Sequence, residues 1–143
     1  PKAIMDTGSI EIVIISEKCK YWCGIQHPLY RPNASSEYKE GTLDVQLSYG
    51  SGDLLGNEAY DTLQIGPFMS RDQPFWEVTD ADMALLFDAS FEAIVGLGPI
   101  SSGITAMTPG GTKNAANYAS TLRNLNVTRY SICMLSKPHA PGY

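Results

Sequence analysis

The chain has 143 residues, of which 43% are apolar, 10% aromatic and 17% charged. This length and apolar share suit one folded domain with a real core and leave little room for a second. The formal net charge of −5 argues against a surface that binds nucleic acid. Since no apolar run approaches the roughly 18 residues of a membrane span, we predict no membrane segment within this sequence.

The first predicted element is an acidic turn between two apolar runs. The tripeptide Asp6–Gly8 lies between apolar residues 3–5 and a run at 10–15 that predicts a buried strand. A carboxylate in such surroundings is costly unless hydrogen bonds or a partner stabilise it. The hydroxyls of Thr7 and Ser9 can supply such bonds. The tripeptide is therefore either an ordinary Asx turn between strands or part of a functional site.

A close pair of cysteines follows the second apolar run. Cys19 and Cys23 enclose three residues, which indicates either a small disulfide loop or two reduced thiols. His27 lies four residues further on, so a helix would align the three side chains as metal ligands. Pro28 and Gly24 disfavour a helix there, and no fourth ligand is evident. We therefore predict no metal site.

Two triplets match the acceptor pattern for N-glycosylation, and they begin at Asn33 and Asn126. Together with the close cysteine pair, they favour passage through the secretory pathway. The third cysteine, Cys133, is then either unpaired or bonded to polypeptide outside these residues.

The middle of the chain predicts strands and a hairpin. Apolar residues alternate with polar ones over 43–48, which is the period of a half-buried strand. The segment 49–56, YGSGDLLG, has three glycines and predicts a tight hairpin tip. Residues 59–66 then predict the return strand, and residues 73–80 predict another short strand.

The last third of the chain predicts two more strands and one helix. Residues 91–98, FEAIVGLG, form a compact apolar strand that ends in glycines, and residues 129–135, RYSICML, predict a closing strand. Apolar residues at helical spacing predict a short helix near 114–125. Many strands with one clear helix indicate a mainly-β domain.

Several of these segments together resemble the pepsin-like aspartic peptidase family. They are DTGS at 6–9, CKYWC at 19–23, YGSG at 49–52 and FEAIVGLG at 91–98. Their order and spacing agree with the family over nearly the whole chain. The resemblance implies that residues 1–143 are the N-terminal lobe of a two-lobed, β-barrel-like fold, incomplete at both ends and without the C-terminal lobe. It also implies a disulfide in the cysteine loop.

The resemblance implies a role for each residue of the DTGS motif. Asp6 would be one half of the catalytic pair, on the turn that Gly8 allows. Ser9 would hydrogen-bond the outer oxygen of that carboxylate. The Thr7 hydroxyl would tie this loop to its counterpart in the other lobe.

The resemblance also implies a substrate-binding region. Tyr49, Gly50 and Ser51 would form a flap that offers backbone groups to an extended peptide. Four residues would line the apolar pocket for the side chain before the scissile bond: Ile4, Leu85, Phe91 and Ile94. Ordinary core packing is the alternative for these four.

The implied chemistry needs two carboxylates, which share one proton because like charges at short separation cannot both ionise. No other aspartate of the chain is followed by Thr-Gly or Ser-Gly, so the second carboxylate must come from elsewhere. A second lobe fits better than the pairing of two copies, because the interval from Asp6 to Ile94 is long. We expect an aspartic endopeptidase without a cofactor, acting on extended polypeptide in a secreted, vacuolar or lysosomal setting.

The sequence departs from the family pattern at two places. Members usually carry a tryptophan where Val13 stands, so the Tyr49 hydroxyl lacks its usual partner. Glu92-Ala93 replaces a common Asp-Gly. The competing hypothesis is a lobe that has lost one site carboxylate and serves as a binding or structural subunit of a larger assembly. The residue that faces Asp6 from the second lobe would distinguish the two.

Overall fold

A computed structural model of the chain describes residues 1–21, 23–24, 28–98 and 121–133. Within these residues, short 3-10 helices lie at Pro32–Ala34 and Ala84–Leu86, and an α-helix, α1, lies at Thr121–Asn124. The strands in chain order are β1 (Ala3–Asp6), β2 (Ile12–Ile15), β3 (Lys39–Tyr49), β4 (Gly52–Ile65), β5 (Phe68–Asp82) and β6 (Ala93–Gly96). The mainly-β prediction is confirmed.

The strands form one six-stranded mixed sheet in the order β1-β6-β2-β5-β4-β3. β3, β4 and β5 are consecutive antiparallel neighbours, as expected for strands joined by short turns. β1 runs parallel to β6, and β2 lies between β6 and β5, antiparallel to the first and parallel to the second. The chain therefore inserts β6 between β1 and β2, directly beside the turn that joins them.

Apolar side chains cover both faces of this sheet because successive strand residues point to opposite sides. Val13 and Trp76 belong to a cluster on one face, and Ile12 and Phe75 belong to a cluster on the other. Trp76 is fully buried, and its neighbour in the ladder is Val13. The central strands are thus buried on both sides, which explains their continuous apolar runs.

The predicted hairpin at 49–56 is present between β3 and β4, where Tyr49 pairs with Gly52. Gly52 has a φ of +140°, a backbone conformation that other residues rarely adopt. A Cβ atom on Gly52 would lie 2.1 Å from the carbonyl oxygen of Asp82, so a side chain has no room there. The glycine therefore holds the base of the hairpin against β5.

Three predicted elements differ from the structure. The strand expected at 73–80 is longer, because a tight turn pairs Ile65 with Phe68 and continues the ladder. The closing strand predicted at 129–135 was wrong over 129–133, which form no ladder with the described strands and are exposed; 134–135 lie outside the described residues. Of the helix predicted near 114–125, Thr121–Asn124 is helical, and residues 114–120 lie outside the described part.

Candidate active site

The carboxylate of Asp6 lies at the end of β1, where the chain turns away from the sheet. One of its oxygens, Oδ1, accepts a hydrogen bond of 2.9 Å from the backbone N–H of Gly8. Asp6 is half-buried, whereas Thr7 and Gly8 are exposed. One oxygen of the carboxylate is thus held by the loop itself, and the exposed Thr7 hydroxyl is accessible from outside the chain.

The loop at residues 6–9 is fixed by the backbone that follows β6. The N–H of Leu97 donates to the carbonyl oxygen of Asp6 at 2.7 Å, and the N–H of Gly98 donates to that of Ser9 at 2.8 Å. Because these bonds join backbone groups across two different elements, they position the loop independently of any side chain.

Two glycines allow this close approach. A Cβ on Gly96 would lie 2.4 Å from the carbonyl carbon of Ile10, and a Cβ on Gly98 would lie 2.8 Å from the carbonyl oxygen of Ser9. Real Cβ atoms do not approach backbone so closely, so a side chain at either position would push the loop away. The FEAIVGLG segment therefore has glycine at these two positions because no side chain fits there.

The hydroxyl of Ser9 is buried and has no hydrogen-bond partner within the described part of the chain. The bond from Ser9 to the outer oxygen of Asp6, which the family resemblance implies, is therefore not formed in this structure. Instead, the Gly8 N–H donates to Asp6. The Ser9 hydroxyl therefore remains available as a hydrogen-bond donor within the loop at residues 6–9.

Tyr49 is the residue of the hairpin that turns inward. Gly50 and Ser51 are exposed at the tip, while the Tyr49 side chain packs against the cluster that contains Val13. Burial raises the pKa of the Tyr49 hydroxyl, and the negative charges of Glu11 and Asp6 raise it further. The phenol is therefore protonated, and can donate a hydrogen bond, at acidic and neutral pH.

The four predicted pocket residues occupy different positions. Ile4 and Ile94 are direct neighbours in the parallel ladder between β1 and β6, and Ile4 is 41% exposed. Phe91 and Ile94 are half-buried against the same cluster as Tyr49. Leu85 is 57% exposed on a 3-10 helix. The structure thus brings Ile4 and Ile94 side by side, whereas Leu85 contributes an exposed surface.

The predicted cysteine loop contains a disulfide. Cys19 and Cys23 are bonded, with their Cα atoms 5.9 Å apart, which confirms the disulfide and excludes two free thiols in this structure. Their sulfurs are then not available to a metal ion. His27, the third residue of the rejected zinc hypothesis, lies outside the described residues. Cys133 is a free, exposed cysteine.

Both candidate glycosylation residues are accessible. Asn33 is exposed within the 3-10 helix Pro32–Ala34. Asn126 is exposed just after α1, with a φ of +56° that asparagine tolerates better than most residues. Exposure is necessary for modification, and glycosylation at either position stays a prediction.

The sequence analysis missed a buried carboxylate on β5. Glu77 is fully buried, and it accepts hydrogen bonds from the Ser16 hydroxyl at 2.6 Å, the Tyr38 hydroxyl at 2.7 Å and the Lys18 ammonium at 3.0 Å. Burial alone would lower the pKa of Lys18, but its bonds to Glu77 and Tyr38 outweigh this effect and raise it. These partners are distant in sequence, so no local pattern indicated them.

A cavity of about 340 Å³ opens on the other face of the sheet. It is mostly apolar, and its lining includes Ile12, Ile14, Phe75 and Val95 but not Asp6. The cavity therefore lies apart from the candidate site.

Among the described residues, no helix is long and apolar enough to cross a membrane, and no group of three or more His, Cys, Asp or Glu side chains could hold a metal ion.

Comparison with known sequences decides the family. The profile described as eukaryotic aspartyl protease matches residues 2–142, which is nearly the whole chain. The chain belongs to this family. Its N-terminal-lobe motifs are the acidic loop, the flap-like hairpin and the glycine-ended β6 described above.

Individual relatives agree with this assignment. Vacuolar protease A of Aspergillus fumigatus is 32% identical over 108 residues, which cover 76% of the chain and 27% of that relative. Renin-2 of Mus musculus is 34% identical over 111 residues, with 76% and 27% covered. Cathepsin D of Dictyostelium discoideum is 35% identical over 112 residues, with 76% and 29% covered. The matched part of the chain thus spans less than a third of the length of these relatives.

Proposed function

We propose that this chain is the N-terminal lobe of an aspartic endopeptidase in which Asp6 is one half of the catalytic pair. The observation that carries the proposal is the placement of the Asp6 carboxylate at the end of β1. The Gly8 N–H holds one of its oxygens, and the backbone after β6 holds the loop. Such a carboxylate is fixed in place yet keeps lone pairs for a water molecule.

In the proposed mechanism, Asp6 acts together with a carboxylate from polypeptide outside this chain. The two groups share one proton because they are too close for both to ionise. The ionised member takes a proton from a bound water, whose oxygen attacks the carbonyl carbon of the peptide bond. The protonated member hydrogen-bonds the carbonyl oxygen. The proton taken from water then passes to the amide nitrogen, and the C–N bond breaks to release the amine and the carboxylic acid. No covalent intermediate with the protein forms.

The positions of other aspartates support an external source for the second carboxylate. Asp61 is tied to the hydroxyls of Tyr30 and Ser35 at 2.6 and 2.8 Å, and it lines the cavity on the other face of the sheet. Asp53 and Asp82 oppose each other in the ladder between β4 and β5. None of these three has a loop of its own like the loop at 6–9.

The proposed substrate is an extended polypeptide that lies between the loop at 6–9 and the hairpin. The exposed backbone of Gly50 and Ser51 at the hairpin tip can donate to and accept from a peptide in strand conformation. Ile4 and Ile94 offer adjacent apolar surface beside Asp6. We therefore propose cleavage next to a bulky apolar side chain.

We propose a lumenal setting, either secreted, vacuolar or lysosomal. The Cys19–Cys23 disulfide suits an oxidising compartment, and the relatives from Aspergillus fumigatus and Neurospora crassa are both named vacuolar proteases. Exposed Asn33 and Asn126 are proposed glycosylation sites in the same pathway.

The test is cleavage of an unfolded protein at acidic pH by the complete protein that contains this chain. Asp6→Asn should lower the rate of cleavage at least about a thousandfold, because the amide cannot take the proton from water. The fold should survive because the asparagine oxygen can still accept the Gly8 bond. Asp72→Asn is the matched control, since Asp72 is exposed and pairs only with Lys39 among the described ion pairs.

Retained cleavage in Asp6→Asn would remove Asp6 from the mechanism. If the wild-type protein binds extended peptides but cleaves none at any acidic pH, the lobe is a binding module instead. Mapping the cleaved bonds by mass spectrometry also tests the proposed preference for apolar side chains.

A further inference from the structure

Glu92 is a buried glutamate directly before β6, and the proposed mechanism does not use it. Only 3% of its surface is exposed. A buried carboxyl group is costly unless hydrogen bonds stabilise it, so its oxygens should be committed to donors. One of them, Oε2, accepts the backbone N–H of Lys2. The side chain therefore reaches from the start of β6 to the residue that precedes β1.

Backbone bonds join the same two residues. The carbonyl oxygen of Lys2 accepts the N–H of Glu92 at 2.9 Å and that of Ala93 at 3.2 Å. Both backbone polar groups of Lys2 are thus bound to Glu92. The carbonyl oxygen of Glu92 accepts the N–H of Ile15, the last residue of β2, at 2.8 Å. Glu92 therefore holds the beginning of β1 and the end of β2 together.

β1 needs such a contact because it is short and lies at the edge of the described sheet. Its four residues pair with β6 alone among the described strands, from Ala3 opposite Ala93 to Asp6 opposite Gly96. Successive strand residues point to opposite faces, so a slip by one residue would move Asp6 by about 3.3 Å and turn its side chain to the wrong face. A side chain that binds one particular N–H favours one register over the others.

We propose that Glu92 is a positioning residue of the active site, whose carboxyl group fixes the register of β1 on β6 and thereby the place of the Asp6 carboxylate. This inference rests on the proposed function. The loop at 6–9 is then held from both ends of β1. Leu97 and Gly98 bind the loop after the strand, and Glu92 binds Lys2 before it. A carboxyl group accepts through oxygen in either protonation state, so the bond persists at acidic pH.

The consequence is that loss of the Glu92 bond should lower the rate of cleavage more than the affinity for substrate. A catalytic group displaced by about 1 Å can cost about a hundredfold in rate, because the reaction depends on its exact placement. The hairpin tip that would bind the peptide backbone belongs to β3 and β4, which make no ladder with β1. The effect should therefore fall on kcat and leave KM nearly unchanged.

Two variants of similar side-chain length test the proposal in the complete protein. Glu92→Met removes the acceptor, whereas Glu92→Gln keeps an amide oxygen for the Lys2 N–H. Glu92→Met should lower kcat at least about tenfold and change KM less than about threefold, and Glu92→Gln should stay within about threefold of the wild type in both.

Glu77→Met is the matched control, because it also replaces a fully buried glutamate of the sheet, but on β5. It should lower stability and leave kcat per folded molecule unchanged. Wild-type kcat in folded Glu92→Met would overturn the proposal. An equal loss of kcat in Glu92→Gln or in Glu77→Met would also overturn it, because the loss would then not depend on the acceptor for Lys2.

Hydrogen exchange tests the positioning without relying on cleavage. The Leu97 N–H, which is bound to the Asp6 carbonyl oxygen, should exchange at least about tenfold faster in Glu92→Met, after correction for any change in global stability. Glu92→Gln and Glu77→Met should keep the wild-type rate, and a wild-type rate in Glu92→Met would contradict the proposal. If the wild type cleaves nothing, the proposed function fails, and these exchange rates still decide the role of Glu92.

The wild type alone provides a second check, which holds even if Glu92→Met does not fold. The Lys2 N–H should exchange within about tenfold of the Leu97 N–H, because both are bound to acceptors that hold β1 in place. Exchange of the Lys2 N–H at the rate of an unfolded chain would overturn the proposal.

Discussion

Asp6 and Glu77 are both carboxylates of the same sheet, but their surroundings differ. Glu77 is fully buried and accepts hydrogen bonds from Ser16, Tyr38 and Lys18. Asp6 is half-buried, and its one described side-chain bond comes from the backbone N–H of Gly8. A buried carboxylate that accepts three hydrogen bonds stabilises the fold, whereas a less buried one that accepts a single bond keeps lone pairs for a ligand.

The two sites are also held by different means. The Glu77 site joins β5 to the segment after β2 through side chains. In addition, the Nζ atom of Lys18 lies over the Tyr38 ring, 5.3 Å from its centroid. The Asp6 loop is held by backbone bonds and by glycines that leave no space for a side chain. Substitutions should therefore separate stability from activity.

The largest expected effect on stability is at Glu77. Glu77→Ala leaves the buried Ser16 hydroxyl and the half-buried Tyr38 hydroxyl without their acceptor, so the free energy of unfolding should fall by about 3 kcal/mol. Chemical denaturation measures the change. Lys39→Ala, which removes the exposed pair with Asp72, is the control and should change stability by less than about 0.5 kcal/mol. An equal loss of unfolding free energy in the two variants would show that the hydrogen bonds to Glu77 contribute no more than an exposed ion pair.

Gly96→Ala should lower both the stability of the protein and its cleavage activity. The added methyl would lie 2.4 Å from the Ile10 carbonyl carbon, and the displaced loop should cost about 2–3 kcal/mol of stability and most of the cleavage activity. Gly50→Ala has open space around the new Cβ and should keep its unfolding midpoint. Thermal unfolding of the two variants gives the comparison, and a wild-type midpoint for Gly96→Ala would contradict the close approach.

Removal of the disulfide should affect stability alone. Cys19 and Cys23 close a short loop next to Lys18, so replacing both by serine should lower the free energy of unfolding by about 2 kcal/mol. The loop at 6–9 does not depend on it, so kcat/KM per folded molecule should stay at the wild-type value. A loss of kcat/KM in the folded variant would show that the two regions are coupled.

The smallest effect is expected at alkaline pH. Burial raises the pKa of Tyr30 and Tyr38, and so do the bonds from Tyr30 to Asp61 and from Tyr38 to Glu77. Unfolded tyrosine ionises near pH 10, so above that pH the folded state holds more protons and stability falls as pH rises. Because these rings are partly exposed, the slope should be below about 1.4 kcal/mol per pH unit for each. Tyr30→Phe should reduce the slope, as followed by denaturation between pH 9 and about 11.

Local sequence patterns predicted the parts of the fold that depend on neighbouring residues. The alternation at 43–48 and the glycines at 50 and 52 predicted the hairpin between β3 and β4. The cysteine spacing was compatible with either a disulfide or two free thiols, and the structure shows the disulfide. The strand predicted at 129–135 was wrong over 129–133, because a short segment rich in strand-forming residues does not by itself supply a neighbouring strand.

Contacts between distant residues could not be predicted in this way. The bond between Ser16 and Glu77 joins residues 61 positions apart, and nothing around either residue indicates the other. The requirement for glycine at position 96 also depends on a distant contact, because β6 passes close to the backbone of Ile10. The family resemblance did indicate the loop at 6–9, but it implied a Ser9–Asp6 bond that the structure does not contain.

The pH dependence of kcat/KM for the complete protein tests most directly whether Asp6 shares a proton with a second carboxylate. Two groups that must together hold one proton give a bell-shaped profile, with activity lost on both sides of an acidic optimum. We predict this bell for the wild type, and no cleavage across the whole range for Asp6→Asn. A profile with a single limb that rises to a plateau would contradict the account, because it would show that one ionisation is enough.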